Sequence, residues 1–147
     1  YSSAPDCAML PKPTREIPVL IASRGPRMLE LTAEYADQWN TAWFGQTTNY
    51  LPRLGEMNAA LDKAGRDRSS LTVTAGLVIN FPDLMDLGAE GVEPERTFSG
   101  TVEQLAELLA EYDRNQCEHV IAQLLPLNET SIARLMEAKQ LAATLTA

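Results

Sequence analysis

Short apolar runs alternate with longer stretches of helical period, four times along the chain. Residues 1–16 carry Pro5, Pro11 and Pro13 and no period, and read as an extended arm. Ile17-Pro18-Val19-Leu20-Ile21-Ala22 follows, a run rich in branched residues that predicts a strand buried on both faces. After Ser23-Arg24-Gly25-Pro26 the spacing changes. Met28, Leu31, Tyr35 and Ala36 recur at helical intervals and predict a helix over 27–37 with that stripe inward. Pro26 suits its first turn, where a missing N–H costs nothing. Trp39–Trp43 predicts a short second strand ending at Gly45, and 48–64 a helix burying Leu51, Leu54, Met57 and Leu61, with Pro52 in its first turn and Gly65 as its stop. Leu71–Asn80 is the clearest strand. Residues 81–100 read as a long loop with Pro82, Gly88, Gly91, Pro94 and several acids. Thr101 then caps a helix, with Gln104 as its capping-box partner and Leu105, Leu108, Leu109 and Tyr112 on its stripe. His119–Leu124 is the last strand, and Asn128, a better cap than Ser131, opens a final helix to about Leu145.

Strands alternating with helices of this length imply right-handed crossovers and a parallel sheet, so the fold class is α/β and residues 17–147 form one unit. Four βα units make either a small open sheet or half of an eight-unit barrel, which takes about 250 residues. The edges separate the two. Open edges are normally blunted by charge or proline, and here only Pro18, His119 and Gln123 do so. A second wall is therefore expected, either an upstream half or another copy pairing edge to edge. A free-standing flavodoxin-like phosphate module is a weaker fit, because the first turn lacks a Gly-rich fingerprint.

Composition narrows the partners. Of 147 residues, 12 are Lys or Arg and 20 are Asp or Glu, for a net charge of −8, against a nucleic-acid backbone or an anionic membrane surface as partner. No apolar run reaches the roughly 20 residues of a membrane span, and the first residues show no signal-peptide pattern. Tyr1 is no natural start, so a processed or trimmed chain, or a missing upstream segment, is expected. Cys7 and Cys117 suggest free thiols in a reducing, cytoplasmic compartment. His119 is the single histidine, at the non-catalytic end of its strand. A structural role is expected for it, with no metal site, and Glu90, Glu93 and Glu95 read as a solvated loop.

Residues 17–31 (Ile-Pro-Val-Leu-Ile-Ala-Ser-Arg-Gly-Pro-Arg-Met-Leu-Glu-Leu), followed by Tyr35-Ala36-Asp37-Gln38-Trp39-Asn40, resemble the bacterial luciferase-like flavin oxidoreductases. Ser99–Leu105 and His119-Val120-Ile121 resemble the final units of that family, and the spacing holds from about residue 11 to the end. Gln38 and Gln116 stand where the family usually has glycine. At Gln116 this implies either a left-handed Gln or a left-handed Asn115. The resemblance implies a (β/α)8 TIM barrel, of which this chain would be the carboxy-terminal half. It also implies an oxidoreductase or monooxygenase that uses FMN or a deazaflavin on a small-molecule substrate, once completed by the missing amino-terminal half. The alternative is a non-catalytic half-barrel that self-pairs as a homodimer or serves as an assembly part.

Parallel barrels build their sites where strands end and helices begin. There Ser23-Arg24-Gly25-Pro26 opens a helix whose first-turn N–H groups and dipole favour a phosphate. Gly25 lets the backbone come close, Ser23 offers a hydroxyl, and Arg24 or Arg27 a charge-assisted bond. The resemblance implies the same role, the seat of the cofactor phosphate. Trp43, at the mouth, suits contact with a planar ring as well as it suits the core, whereas Trp39 reads as packing. Asp37 reads as a structural hydrogen-bonding residue. The 81–100 loop, on the rim beside Ser23, is expected to be a lid over the substrate.

Overall fold

A computed structural model describes residues 10, 12–88, 93 and 95–146. Most of the arm expected over 1–16, with Cys7 in it, lies outside the described residues, as do positions 89–92 and 94 of the expected loop. The elements run β1 (Leu20–Ala22), α1 (Pro26–Tyr35), β2 (Gln38–Phe44), α2 (Thr47–Ala64), a 3-10 turn (Arg68–Ser70), β3 (Thr72–Asn80), β4 (Thr97–Ser99), α3 (Val102–Arg114), β5 (Cys117–Leu125) and α4 (Glu129–Leu145). Every strand pair is parallel. β1 pairs with β2 and β2 with β3, while β5 lies along the other flank of β3. β4 was not expected. It pairs with Val78–Asn80, on the flank of β3 that β2 has left free. It is a three-residue strand inside the predicted 81–100 loop, too short to register as a period.

Register and alternation divide the sheet into two faces. Trp39, Val73, Ala75, Leu77, Ile79 and Leu124 point to the helical layer and are at most 7% exposed. There Tyr50 and Tyr112 pack with ring centroids 4.9 Å apart, and Phe44 meets Tyr50 edge-on. The opposite face carries Leu20, Ala22, His119, Ile121 and Gln123, all exposed. The expectation of strands buried on both sides holds for β3, buried along nearly its whole length, and is corrected for β1 and β5, which helices cover on one side only and whose other side is exposed.

The same correction applies to α1. Its buried residues are Leu29, Thr32 and Ala33, whereas Met28, Leu31 and Tyr35 are exposed. The periodic stripe was real but faces outward, because α1 has a packed helical neighbour, α2, only on its other side. In α2 Tyr50 takes the buried place expected of Leu51, which is exposed, and Pro52 is the sixth helical residue, beyond the first turn. Gly65, at φ 66°, ends that helix as expected. Gln116 takes the left-handed conformation (φ 65°) while Asn115 does not, which decides between the two alternatives. Gln116 accepts a hydrogen bond from Asn58. Asp37 holds β1 in place: its carboxylate accepts from the Val19 N–H at 2.7 Å, and its own N–H donates back to the Val19 carbonyl. Among the described residues no helix is long and apolar enough to cross a membrane.

Candidate functional site

The carboxyl ends of β1 and β2 carry the predicted site residues Ser23, Arg24, Gly25, Pro26 and Trp43 to one rim. Helix starts differ along it. Thr101 and Asn128 cap α3 and α4 with full capping boxes. Gly25 and Gln46, at the starts of α1 and α2, make no side-chain cap. Pro26, at the first helical position of α1, has no N–H, so the next amides of that turn have no intrahelical acceptor. A Cβ placed on Gly25 would meet nothing within 4 Å, so the glycine answers no steric need of the chain itself.

Ser23 departs from its expected part. It is buried, and its hydroxyl lies 2.8 Å from that of Thr32. Thr32 donates its single proton to the Met28 carbonyl, so Ser23 must be the donor between the two hydroxyls. Its proton is spent inside the fold and is not offered to a ligand. Its carbonyl accepts from the Trp39 indole at 3.2 Å. Ser23 and Trp39 therefore fix the turn, and Arg24 stays exposed beside it.

Arg24 is exposed and has no carboxylate within salt-bridge distance among the described residues. Of the three clefts that it lines, two are also lined by residues of β1 or β2. One, of about 360 Å3, runs between Ala22–Arg24 and Asn40–Ala42. The Thr41 hydroxyl beside it is buried without a hydrogen-bond partner. The other, of about 240 Å3, adds Trp43, Asn49, Arg53, Glu95 and Arg96.

The two tryptophans separate cleanly. Trp39 is core, at 1% exposed, while Trp43 is 44% exposed. The Trp43 ring passes over Gly76, where a Cβ would stand 3.2 Å from the ring and 2.7 Å from the Ala42 Cβ. That gap holds an aromatic face open at the rim, after the bulge between Ala42 and Phe44.

The 81–100 segment is tied down at both described ends. Arg134 holds Asp83 through two hydrogen bonds, of 2.6 and 2.7 Å, and its guanidinium lies 5.3 Å from the Phe81 ring centroid. The Glu95 carbonyl accepts from the Gly45 N–H and the Asn49 amide. Asn80, buried at the end of β3, donates to Ser99 and keeps its Oδ1 unpartnered. A polar residue closing an apolar strand was the visible signal for Asn80. Arg53 and Arg96 gave none, because only the fold brings them to Arg24. His119 lies exposed on the open face, far along β5 from this rim. Among the described residues no group of acids, His and Cys is placed to hold a metal.

Fold and rim together define a class: one wall of a parallel (β/α) barrel, with an uncapped helix start at its carboxyl end. The profile described as luciferase-like monooxygenase matches residues 1–83. The chain belongs to that family. It is 37% identical over 57 residues to the phthiodiolone/phenolphthiodiolone dimycocerosates ketoreductases of Mycobacterium tuberculosis and Mycobacterium bovis, a match that takes in 39% of this chain and 15% of theirs. Among solved structures it is similar to an F420-dependent secondary alcohol dehydrogenase in complex with an F420-acetone adduct (TM-score 0.72, 13% identity, 92% of this chain and 52% of that one). The coenzyme F420 dependent tetrahydromethanopterin reductase of Methanopyrus kandleri is similar at TM-score 0.65 and 13% identity, over 89% of this chain and 51% of the reductase. EDTA monooxygenase from a Chelativorans species follows at TM-score 0.59 and 12% identity, over 86% and 46%. The chain thus spans about half the length of these structural relatives, in keeping with a half-barrel.

Proposed function

We propose that the chain is the carboxy-terminal half of a luciferase-like oxidoreductase using a deazaflavin or FMN, and that its first βα turn seats the cofactor phosphate. The observation that carries this reading is the uncapped start of α1 beside Arg24, which has no carboxylate partner among the described residues, at the mouth of the 360 Å3 cleft. The backbone amides after Pro26 and the Arg24 guanidinium would hold the phosphate, with Ser23 and Trp39 keeping the turn in shape. Trp43 would line the ring and shield one side of it from water. When bound, such a cofactor supplies the hydride or electron transfer, and this chain's residues supply binding and orientation. Two of the structural relatives are F420-dependent, which favours a deazaflavin over FMN. The substrate is a small molecule, and most of its pocket belongs to the amino-terminal half.

The test is a titration of FMN and of a deazaflavin into the chain mixed with a separately expressed amino-terminal half. A coloured complex is expected, with binding weakened about tenfold by Arg24→Ala, the loss of one charge-assisted bond. The chain alone is expected to show little or no turnover. Full activity from the isolated chain, or binding indifferent to Arg24→Ala, would overturn the reading.

A second reading is favoured by one observation, the exposed apolar residues at both ends of the sheet, Val19, Leu20, Met28 and Leu31 beside β1 and Ile121, Ile132 and Met136 beside β5. Two copies could close edge to edge about a two-fold axis. A dimer on a sizing column that takes up no flavin would support this non-catalytic form.

A further inference from the structure

We infer that the rim holds a second anion seat beside the first, and that the ligand of this site carries a second anionic group, carboxylate or phosphate, beyond the phosphate at Gly25. This rests on the phosphate reading above and extends it. The protein is strongly acidic, with 20 carboxylate residues against 12 basic ones, so a gathering of arginines is not what chance placement on its surface gives. Yet Arg24, Arg53 and Arg96, brought from three separate segments, line a single cleft of about 240 Å3.

Their existing partners do not close it. Arg53 is paired with Glu56 at 2.8 Å and Arg96 with Glu93 at 3.2 Å, each within its own segment three residues away. Exposed pairs of that kind are worth about 0–1 kcal/mol and exchange readily for a bidentate anion. Among the described residues Arg24 has no such partner, and it borders both clefts, so one ligand could reach from the first seat to the second. Asn49 and Arg53 come from the first two turns of α2, whose start at Gln46 carries no side-chain cap, so the positive end of that helix adds to the cleft. Trp43 forms part of the wall shared with the ring site.

Glu95 is the one carboxylate residue among the lining residues. Its carbonyl, held by Gly45 and Asn49, fixes the segment that carries Arg96, while its charge opposes the anion. That opposition gives the test a variant of the reverse sign.

Calorimetric titration of the 147-residue chain with inorganic phosphate, tripolyphosphate and citrate, at constant low ionic strength, reads the two seats apart. Tripolyphosphate is expected to bind at least about tenfold tighter than phosphate, because it spans both seats. Arg53→Gln and Arg96→Gln each lower tripolyphosphate affinity about five- to tenfold and leave the phosphate held at Gly25 unchanged. Glu95→Gln raises it, and Arg68→Gln, at the far end of the sheet, controls for net charge. Citrate binding with the same dependence on Arg53 and Arg96 assigns a carboxylate-bearing group; binding of tripolyphosphate alone assigns a phosphate-bearing one. If tripolyphosphate is no tighter than phosphate, or Arg53→Gln and Arg96→Gln are silent, the second seat does not exist while the first stands. If neither anion binds, both fall.

Discussion

The two faces of the sheet are built from the same strands and have opposite fates. On one, Ala75, Leu77 and Ile79 are wholly buried beneath α1 to α4. On the other, Ile121, one register step from Leu77 on the neighbouring strand, is 42% exposed, and Leu20 is 46% exposed. Apolar side chains on the second face gain little from this chain's own packing. Their character makes sense as the inner lining and edges of a barrel wall whose other half is elsewhere.

A pair of truncations tests whether the two faces differ in this way in solution. Leu77→Ala removes a fully buried side chain and is expected to cost about 2–5 kcal/mol in urea unfolding. Ile121→Ala should cost under about 1 kcal/mol in the isolated chain, because water already reaches much of the side chain. Equal losses would mean that the open face is covered in solution, and the second then rises with protein concentration if a second copy is the cover.

A pH series probes the covered face from another side. Burial pushes the Cys117 thiol up to about 11. In the unfolded chain a thiol ionises near 8.5, so between these values the unfolded state sheds its proton first. Stability present below about pH 8.5 is therefore lost as pH climbs toward 11, a loss on the order of 2 kcal/mol. Tyr50 and Tyr112, also raised by burial, add to it above about pH 10. Denaturation with reductant at pH 8 and 9.5 should show the decline, and Cys117→Ala should flatten it. An unchanged slope in that variant would place the titrating group elsewhere.

How far the sequence carries depends on which neighbours each residue needs. Periodicity and caps located every helix and four of the five strands, because those signals are local: Thr101 and Gln104, Asn128, and Gly65 each act on their own turn. The orientation of α1 was illegible, since Met28, Leu31 and Tyr35 form as good a stripe as Leu29, Thr32 and Ala33, and only contact with α2 chooses between them. The residue types of the turn at 23–26 were legible, and its role as an anion seat is a proposal that rests on them. The spent proton of Ser23 was not legible, because it depends on Thr32 and on the Met28 carbonyl acting together. Arg53 and Arg96 lie 29 and 72 positions from Arg24, beyond any motif.

On the open face, beside Ile121 in register, stands Gly76. Gly76→Ala drives a methyl to 2.7 Å from the Ala42 Cβ and into the Trp43 ring, and overpacking of this kind costs about 1–3 kcal/mol. Ala42→Gly in the same chain should restore part of the loss, and a double-mutant cycle measures the coupling. If the two changes are simply additive, the ring is not held by this gap, and Trp43 is free to leave the rim.

The smallest effect concerns the helix starts. Thr101→Ala, at a start that serves only the fold, should cost about 1 kcal/mol. Gly25→Asp does the reverse at a start left open. The added Cβ meets no atom within 4 Å, and at the N-cap position the Asp carboxylate can accept from the first-turn amides of α1. Capping by Asp in place of Gly gains a few tenths of a kcal/mol, and a negative charge at a helix N-terminus adds to it. The same carboxylate occupies the amides proposed for the phosphate and repels it. Unfolding curves should therefore show a slightly steadier Gly25→Asp chain, while calorimetry shows phosphate binding lost. A variant that gains stability and still binds phosphate would separate the α1 start from the anion, leaving the bare cap at Gly25 without a functional reason.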